Sequence, residues 1–262
     1  MNNVKKALSV CFALLLLATA TVAGTMAYEN LSAYEWAQQT DQTITVQLIQ
    51  EQRAYNNSGE LTGLETFADD KVLVPLVETA QYNGTNFDKY GMPMADGYVD
   101  QIVRVKNTGT VDAYVRVIVA IPAALDNAND AGHNALHWNL GNRFMADGSF
   151  SSDNHTNTAF ADISWKYSET AVVNGVECNI YIFTYQKALA GGSTTDAAAF
   201  VGFYLDNSVD VVNGHILLDG IDTGYMDDTV RIYVETQAVQ AYGFTTADEA
   251  FTTAQLPNNP WH

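Results

Sequence analysis

The sequence predicts an all-β protein, a two-sheet jelly-roll-like β-sandwich with one short C-terminal helix and long loops. Apolar residues repeatedly alternate with polar ones, which is the period of a strand that is half buried in a sheet. Asn-Gly pairs and other turn-forming stretches separate these runs. Only one segment carries strong helix signals, so the sequence lacks the alternating helices of an α/β protein.

Residues 99–122 form the most strongly strand-like stretch and predict a β-hairpin. The second arm places apolar side chains at alternate positions, and Pro122, which cannot donate to a ladder, ends it. The polar connection between the arms contains Asn107 and Gly109, whose residue types tolerate positive φ. A two-stranded hairpin is marginal alone, so we expect other strands to cover it with a second sheet.

The remaining elements follow from the same signals. Residues 54–70 and 81–97 are polar and predict loops. Thr246 and Glu249 have the spacing of a capping box, which predicts a helix that Pro257 ends. Further strands are predicted at 43–48, 163–167, 177–187, 200–205, 208–218 and 229–240, and an irregular or edge strand is predicted at 71–77, where Pro75 interrupts the run.

Residues 1–27 have the order of a secretory signal peptide, with two lysines, an apolar run and a small-residue cleavage region. The apolar run is short for a membrane span, which needs about 20 residues. An uncleaved membrane anchor is the competing interpretation. We expect cleavage between Ala27 and Tyr28, which leaves an N-terminal segment at 28–42 and one β-sandwich domain at 43–262.

The charge and the cysteine content restrict the function classes. The chain contains 12 Lys+Arg and 30 Asp+Glu, a net charge of −18, and loss of the lysine-bearing signal segment makes it more acidic. This charge argues against nucleic acid and against anionic membrane surfaces as partners. Cys178 is the only cysteine after residue 27, so no internal disulfide is expected and Cys178 is expected to be a small buried hydrophobe.

Two groups of residues have the composition of metal ligands, and neither completes a known motif. His133 and His137 are four residues apart and would share a helix face, but the zincin pattern requires glutamate where Asn134 stands. Asp126 and Asp130 lie in a stretch that has the composition of a calcium loop without matching the EF-hand pattern. We therefore expect a non-enzyme without a resident cofactor, with His133, His137, Asp126 and Asp130 as the candidate metal ligands and calcium as a candidate cation.

Four stretches resemble the motifs of one known protein family. Residues 107–117 match the segment N-T-G-x-x-D-A-Y-V-R-V, and residues 24–28 match a Gly-Thr-x-Ala-Tyr cleavage region. Residues 181–194 resemble a Y-x-K-x-L-x-P-G-E-S strand and turn, with Ala-Gly-Gly in place of Pro-Gly-Glu. Residues 234–251 resemble the ending A-E-A-V-Q-A-x-G-F-x-x-A-x-E-A-W. Together they resemble the TasA/camelysin-like family of bacterial secreted proteins, whose signal peptides are cut by the SipW-type signal peptidase.

The resemblance implies a jelly-roll sandwich exported by a Gram-positive-type bacterium to the cell surface or biofilm matrix. It implies a fibre subunit whose N-terminal segment completes the sheet of the next subunit by strand addition. The partners would be the protein itself or related matrix subunits, and a signal peptidase during export, with no nucleic acid and no membrane after cleavage. The donor segment would contain Tyr28, Leu31, Tyr34 and Trp36.

Two other functions remain open from the sequence. Residues 126–162 form a long polar excursion, and loops of this length in compact domains are often functional. A monomeric surface adhesin or ligand-binding module would use this excursion. A metallopeptidase would use His133 and His137, although the absent zincin glutamate gives no support for carrying over the peptidase activity associated with camelysin.

Overall fold

The computed structural model describes residues 25–28, 43–58, 61–68, 71, 73, 75, 98–126, 134–143, 158–226 and 229–261. The strands are β1 (Thr25–Tyr28), β2 (Val46–Tyr55), β3 (Leu61–Thr66), β4 (Val99–Asn107), β5 (Ala113–Pro122), β6 (Leu136–Leu140), β7 (Ile163–Val173), β8 (Val176–Tyr185), β9 (Phe200–Leu205), β10 (Val209–Val212), β11 (His215–Leu218), β12 (Ile221–Asp222) and β13 (Tyr233–Gln240). Two 3-10 turns, Gly141–Arg143 and Thr158–Asp162, precede β7, and helix α1 (Ala247–Ala254) follows β13.

The strands form two five-stranded sheets and one small sheet. Sheet A has the spatial order β1-β13-β5-β8-β7, sheet B has the order β3-β2-β4-β9-β6, and the small sheet contains β10, β11 and β12. Within these ranges no helix is long and apolar enough to cross a membrane. The described residues therefore form an all-β sandwich with one short C-terminal helix, the fold class that the sequence predicts.

Strand β5 is the centre of sheet A and is buried along its whole length. One face packs into the core between the two sheets, and it consists of the alternating residues Ala113, Val115, Val117, Val119 and Ile121. Ile118 and Ala120 face the other way and join a separate apolar cluster on the outer face of sheet A. The predicted alternation of this strand is confirmed.

The predicted hairpin at 99–122 is wrong, because its two arms belong to different sheets. Strand β4 pairs with β2 and β9 in sheet B, whereas β5 pairs with β13 and β8 in sheet A. The connection therefore crosses the sandwich. Alternation predicts both strands correctly, but it does not identify the partner of a strand that is apolar enough to be buried on both faces.

Specific contacts hold this crossing connection in place. The side-chain amide of Asn107 donates to the carbonyl oxygens of Val111 at 2.8 Å and of Leu189 at 2.9 Å. Gly109 lies so close to Thr43 that a Cβ atom at Gly109 would collide with the Thr43 carbonyl oxygen. Asn107 and Gly109 thus fix the connection between two sheets and do not form a hairpin turn.

Two short edge strands lie where the sequence predicts loops. Strand β3 falls within the predicted 54–70 loop and pairs with β2, and β6 falls within the predicted 126–162 excursion and pairs with β9. Short edge strands carry mixed polar and apolar residues, so the strand period is weak there. Of the irregular or edge strand predicted at 71–77, the structure describes residues 71, 73 and 75, and Pro75 forms an isolated bridge to Leu205.

The predicted turn and helix caps are confirmed. Asn174 and Gly175 join β7 to β8 with φ values of 48° and 88°. The hairpin turn requires positive φ at both positions, and Asn and Gly are the residue types that tolerate it. The Thr246 hydroxyl accepts from the backbone N–H of Glu249 at 3.2 Å. The Glu249 carboxylate returns to the N–H of Thr245 at 3.0 Å, one residue before the cap.

Candidate strand-accepting edge

Strand β13 presents a regular edge of sheet A. It pairs with β5 over eight residues without a register shift, from Tyr233 opposite Ala120 to Gln240 opposite Ala113. It contains no proline and no lysine, and Glu235 is its one charged residue. Long, regular strand edges without such residues are the ones to which another chain can add a strand.

The N-terminal part of the chain occupies this edge. Strand β1 pairs in parallel with β13, from Thr25 opposite Thr236 to Tyr28 opposite Val239. Among the described strands, the other pairings are antiparallel. Strand β1 has four residues and β13 has eight, so β1 completes only part of the edge.

The opposite edge of sheet A has a different character. Strand β7 pairs with β8 through a register shift between Tyr167 and Glu169, so Ser168 forms a bulge. Lys166 and Glu169 on this strand are both exposed. Bulges and charged side chains are the usual devices that prevent edge-to-edge association. The two edges of sheet A are therefore unequal, with β7 protected and β13 regular.

Helix α1 covers the outer face of β13 and β5. Ala247, Ala250 and Phe251 on the helix pack against Tyr114 and Val239 of the sheet. The chain then continues as Gln255–Trp261, and Trp261 packs near Tyr233 with ring centroids 6.2 Å apart. This C-terminal tail and the helix explain why β13 is buried from Val234 to Gln240 although it lies near the edge.

Arg116 and Gln237 join the tail to the sheet, and sequence reasoning did not assign a role to either residue. The Arg116 guanidinium donates to Gln237 at 2.7 Å beneath the tail. For Arg116, the signal is a charged residue in the middle of a strand that is otherwise almost entirely apolar. Gln237 has no such signal, because β13 also carries Glu235, Thr236 and Gln240. Arg116 also lies within the 107–117 motif.

Only some of the predicted assembly residues fall within the described residues. The backbones of Ala27 and Tyr28, which flank the predicted cleavage point, lie in β1 opposite Ala238 and Val239. Leu31, Tyr34 and Trp36 lie outside the described residues, as do the candidate ligands Asp130 and His133.

Asp126 is a hydrogen-bond acceptor at the centre of a buried network. Its carboxylate accepts from the Tyr181 hydroxyl at 2.6 Å and from the Asn179 amide at 3.1 Å. The other carboxylate oxygen accepts from the Asn134 amide at 3.2 Å and from the Trp138 indole at 3.4 Å. Four protein donors thus surround this carboxylate, an arrangement that fixes the start of the 126–162 excursion to β8 and β6.

His137 lies on β6, so the helix face expected for a histidine pair is not formed at this residue. Its Nε2 atom is 2.9 Å from the Asp206 carboxylate, and its ring stacks on Tyr204 with centroids 5.0 Å apart. The Asp206 carboxylate also accepts from the Ser208 hydroxyl at 2.7 Å. Burial alone would raise the pKa of Asp206, but hydrogen bonds from Ser208 and His137 outweigh it and lower the pKa below its ordinary value.

The described residues bring together no cluster of three or more His, Cys, Asp or Glu side chains that could hold a metal ion. The His137–Asp206 pair and the Asp126 network are separate contacts, each satisfied by protein groups. The most distinctive feature is therefore the edge of β13 and the elements that cover it. The chain matches no protein-family model and no curated protein.

Proposed function

We propose that this protein is a secreted structural subunit of the bacterial surface or biofilm matrix, which forms fibres when the N-terminal segment of one subunit adds to β13 of the next. The supporting observation is the pairing of Thr25–Tyr28 with β13, which places the N-terminal part of the chain at this edge. Backbone hydrogen bonds along such an edge provide affinity, and the alternating side chains provide specificity.

The difference between the two edges of sheet A, a regular β13 and a bulged, charged β7, supports the same proposal. A subunit that grows into a linear polymer needs one accepting edge, and a second open edge would allow branching or amorphous association. Here Lys166, Glu169 and the Ser168 bulge protect β7. The net charge of −18 further opposes association through unspecific surfaces.

Processing of the chain fits this arrangement. Cleavage between Ala27 and Tyr28 would remove three of the four residues of β1. The edge of β13 then becomes free to pair with the 28–42 segment of another subunit. In this proposal the resemblance to the TasA/camelysin-like family and the position of β1 lead to the same interaction.

The test compares the secreted, processed protein with a variant that lacks residues 28–40. We expect filaments from the processed protein in electron micrographs and monomers from the truncated variant. A synthetic peptide of residues 28–40 should bind the truncated variant with one-to-one stoichiometry in isothermal titration calorimetry, since the donor segment is then supplied in trans.

A matched peptide with proline at alternate positions serves as the control, because proline removes the backbone donors of a strand. It should not bind. Equal behaviour of the processed and truncated proteins, with both monomeric at high concentration and no peptide binding, would disprove strand addition at β13.

A further inference from the structure

We propose that the C-terminal tail, residues 255–261, is a latch that Arg116 holds against β13. The latch is closed while these contacts are made, and β13 accepts a strand only in that state. The coupling to assembly rests on the function proposed above. Closure of the latch is a property of the single subunit, so it can be measured independently of any filament.

Arg116 binds the tail and the accepting strand at the same time. Its Nε atom donates to the side-chain oxygen of Gln237 at 2.7 Å. Its Nη2 atom donates to the backbone carbonyl oxygens of Leu256 and Pro257, each at 3.1 Å. Nη1 reaches the side-chain oxygen of Asn258 at 3.4 Å. The planar fork of the guanidinium suits several acceptors held in fixed positions.

The charge of this arginine faces neutral acceptors. In the part of the chain that the structure describes, no carboxylate lies within 4.0 Å of the Arg116 guanidinium. Its acceptors are neutral, and its Cζ atom lies 4.6 Å from the centre of the Phe251 ring. Arg116 is 6% exposed, and burial lowers its pKa to about 10. Because a buried cation without acceptors is costly, loss of the tail carbonyls would destabilise the buried Arg116 side chain.

Gln237 contacts the tail with its side chain and the N-terminal strand with its backbone. Its side chain is fully buried, accepts from Arg116, and donates to the carbonyl oxygen of Pro257 at 3.1 Å. Its backbone lies opposite Met26 of β1, in the middle of the accepting register. Opening of the tail therefore removes the Pro257 acceptor of Gln237, the β13 residue whose backbone faces the middle of the paired N-terminal strand.

The far end of the tail covers the outer face of sheet A. Trp261 packs against an apolar cluster that includes Ile118, Cys178 and Ile180. Cys178 is fully buried, and burial together with the adjacent Glu177 charge raises its thiol pKa to about 11. Cys178 is the only cysteine after residue 27. Because Trp261 packs against the cluster that contains Cys178, we expect opening of the tail to expose this face of the sheet and to raise the alkylation rate of Cys178 in the native protein.

The experiment uses the processed protein and three variants: Arg116→Lys, which keeps the charge but loses the planar fork, Trp261→Ala, and a deletion of 255–262. Lys187→Met is the matched control, because Lys187 is an exposed cation that pairs with Asp162 at 2.6 Å away from the tail. Iodoacetamide labelling of Cys178 is followed by mass spectrometry below the filament-forming concentration. Filament growth is followed separately by light scattering.

We expect each latch variant to label Cys178 at least about tenfold faster than the parent and to grow filaments more slowly, with the control unchanged. Cooperative thermal unfolding of each variant verifies that it is folded, and Trp261→Phe should restore slow labelling. Unchanged labelling in folded latch variants overturns the latch. Faster labelling with unchanged filament growth overturns the coupling. A parent protein that forms no filaments overturns the proposed function and the coupling, while the labelling rates still decide whether the tail covers the sheet.

Discussion

The Tyr181 hydroxyl on β8 donates a 2.6 Å hydrogen bond to the carboxylate of Asp126, at the point where the chain leaves β5 for the long excursion. Burial, followed by the hydrogen bond and the charge of Asp126, raises the pKa of the Tyr181 phenol, so the hydroxyl remains protonated and donates. This contact therefore stabilises the base of the excursion against the sheet.

Tyr181→Phe should lower the free energy of unfolding by about 1–3 kcal/mol, because a buried carboxylate loses one of its donors. Urea unfolding at neutral pH measures this change. Tyr225→Phe is the control, since its hydroxyl donates to the Thr229 carbonyl oxygen at 2.8 Å and the network around Asp126 is untouched, and it should cost about 0.5–1.5 kcal/mol, the usual contribution of one hydrogen bond. Equal effects from the two variants would contradict a specific role for the Asp126 network.

Gly109→Ala should destabilise the sandwich by about 2–3 kcal/mol, because the added methyl group must displace the backbone of Thr43. Gly175→Ala is a useful comparison. Nothing lies within 4 Å of a Cβ there, and the cost of about 1 kcal/mol comes from its φ of +88°. Thermal unfolding of the two variants distinguishes a steric collision from backbone strain, and a smaller loss for Gly109→Ala would disprove the close contact.

The stability of the protein should depend on Asp206 in acid. The pKa of Asp206 is lowered in the folded state, so its ionised form stabilises the fold above the ordinary aspartate pKa of 3.8 and this contribution is lost as the pH falls through the lowered value. Asp206→Asn should therefore be less stable than the parent at pH 7, and the difference should shrink below about pH 4. Urea midpoints across this pH range provide the measurement.

The exposed Asp210 provides a control for Asp206, since Asp210→Asn changes the net charge by the same amount on the neighbouring β10 strand. A pH-independent difference between Asp206→Asn and the parent would show that the His137 and Ser208 contacts do not hold the carboxylate in its ionised form.

Calcium should not change the thermal stability of the protein through Asp126, because four protein donors already surround the Asp126 carboxylate. We expect the same melting temperature in EDTA and in millimolar calcium. A rise in the melting temperature with calcium that is lost in Asp126→Asn would identify Asp126 as a ligand after all and reverse our interpretation of the network.

Sequence patterns predict this fold well where one residue type determines the geometry. Asn174 and Gly175 specify their hairpin because few residues tolerate positive φ at both turn positions. Thr246 specifies the start of α1 because its hydroxyl accepts from a helix N–H that otherwise has no partner. The alternation in β5 likewise predicts its core face, since the strand period is two.

These patterns do not predict which strands pair with each other or which side chains meet in the folded protein. The alternation in β4 and β5 is the same whether the two strands pair with each other or lie in opposite sheets. A lone arginine on an apolar strand marks Arg116 as unusual, but the sequence does not reveal its partners, since these include backbone carbonyls about 140 residues further along the chain. The helix expected around His137 is a strand because β9 offers a pairing edge there.

The crossing of the chain between β4 and β5 also affects when the protein can fold. Strand β5 has its neighbours in β8 and in β13, which ends at Gln240. Because such distant pairings require large loops to close first, they form slowly. A chain translocated from its N-terminus thus cannot complete the centre of sheet A until nearly all of it has emerged. Under the export proposed above, the central sheet would therefore be completed only after nearly the whole chain has crossed the membrane.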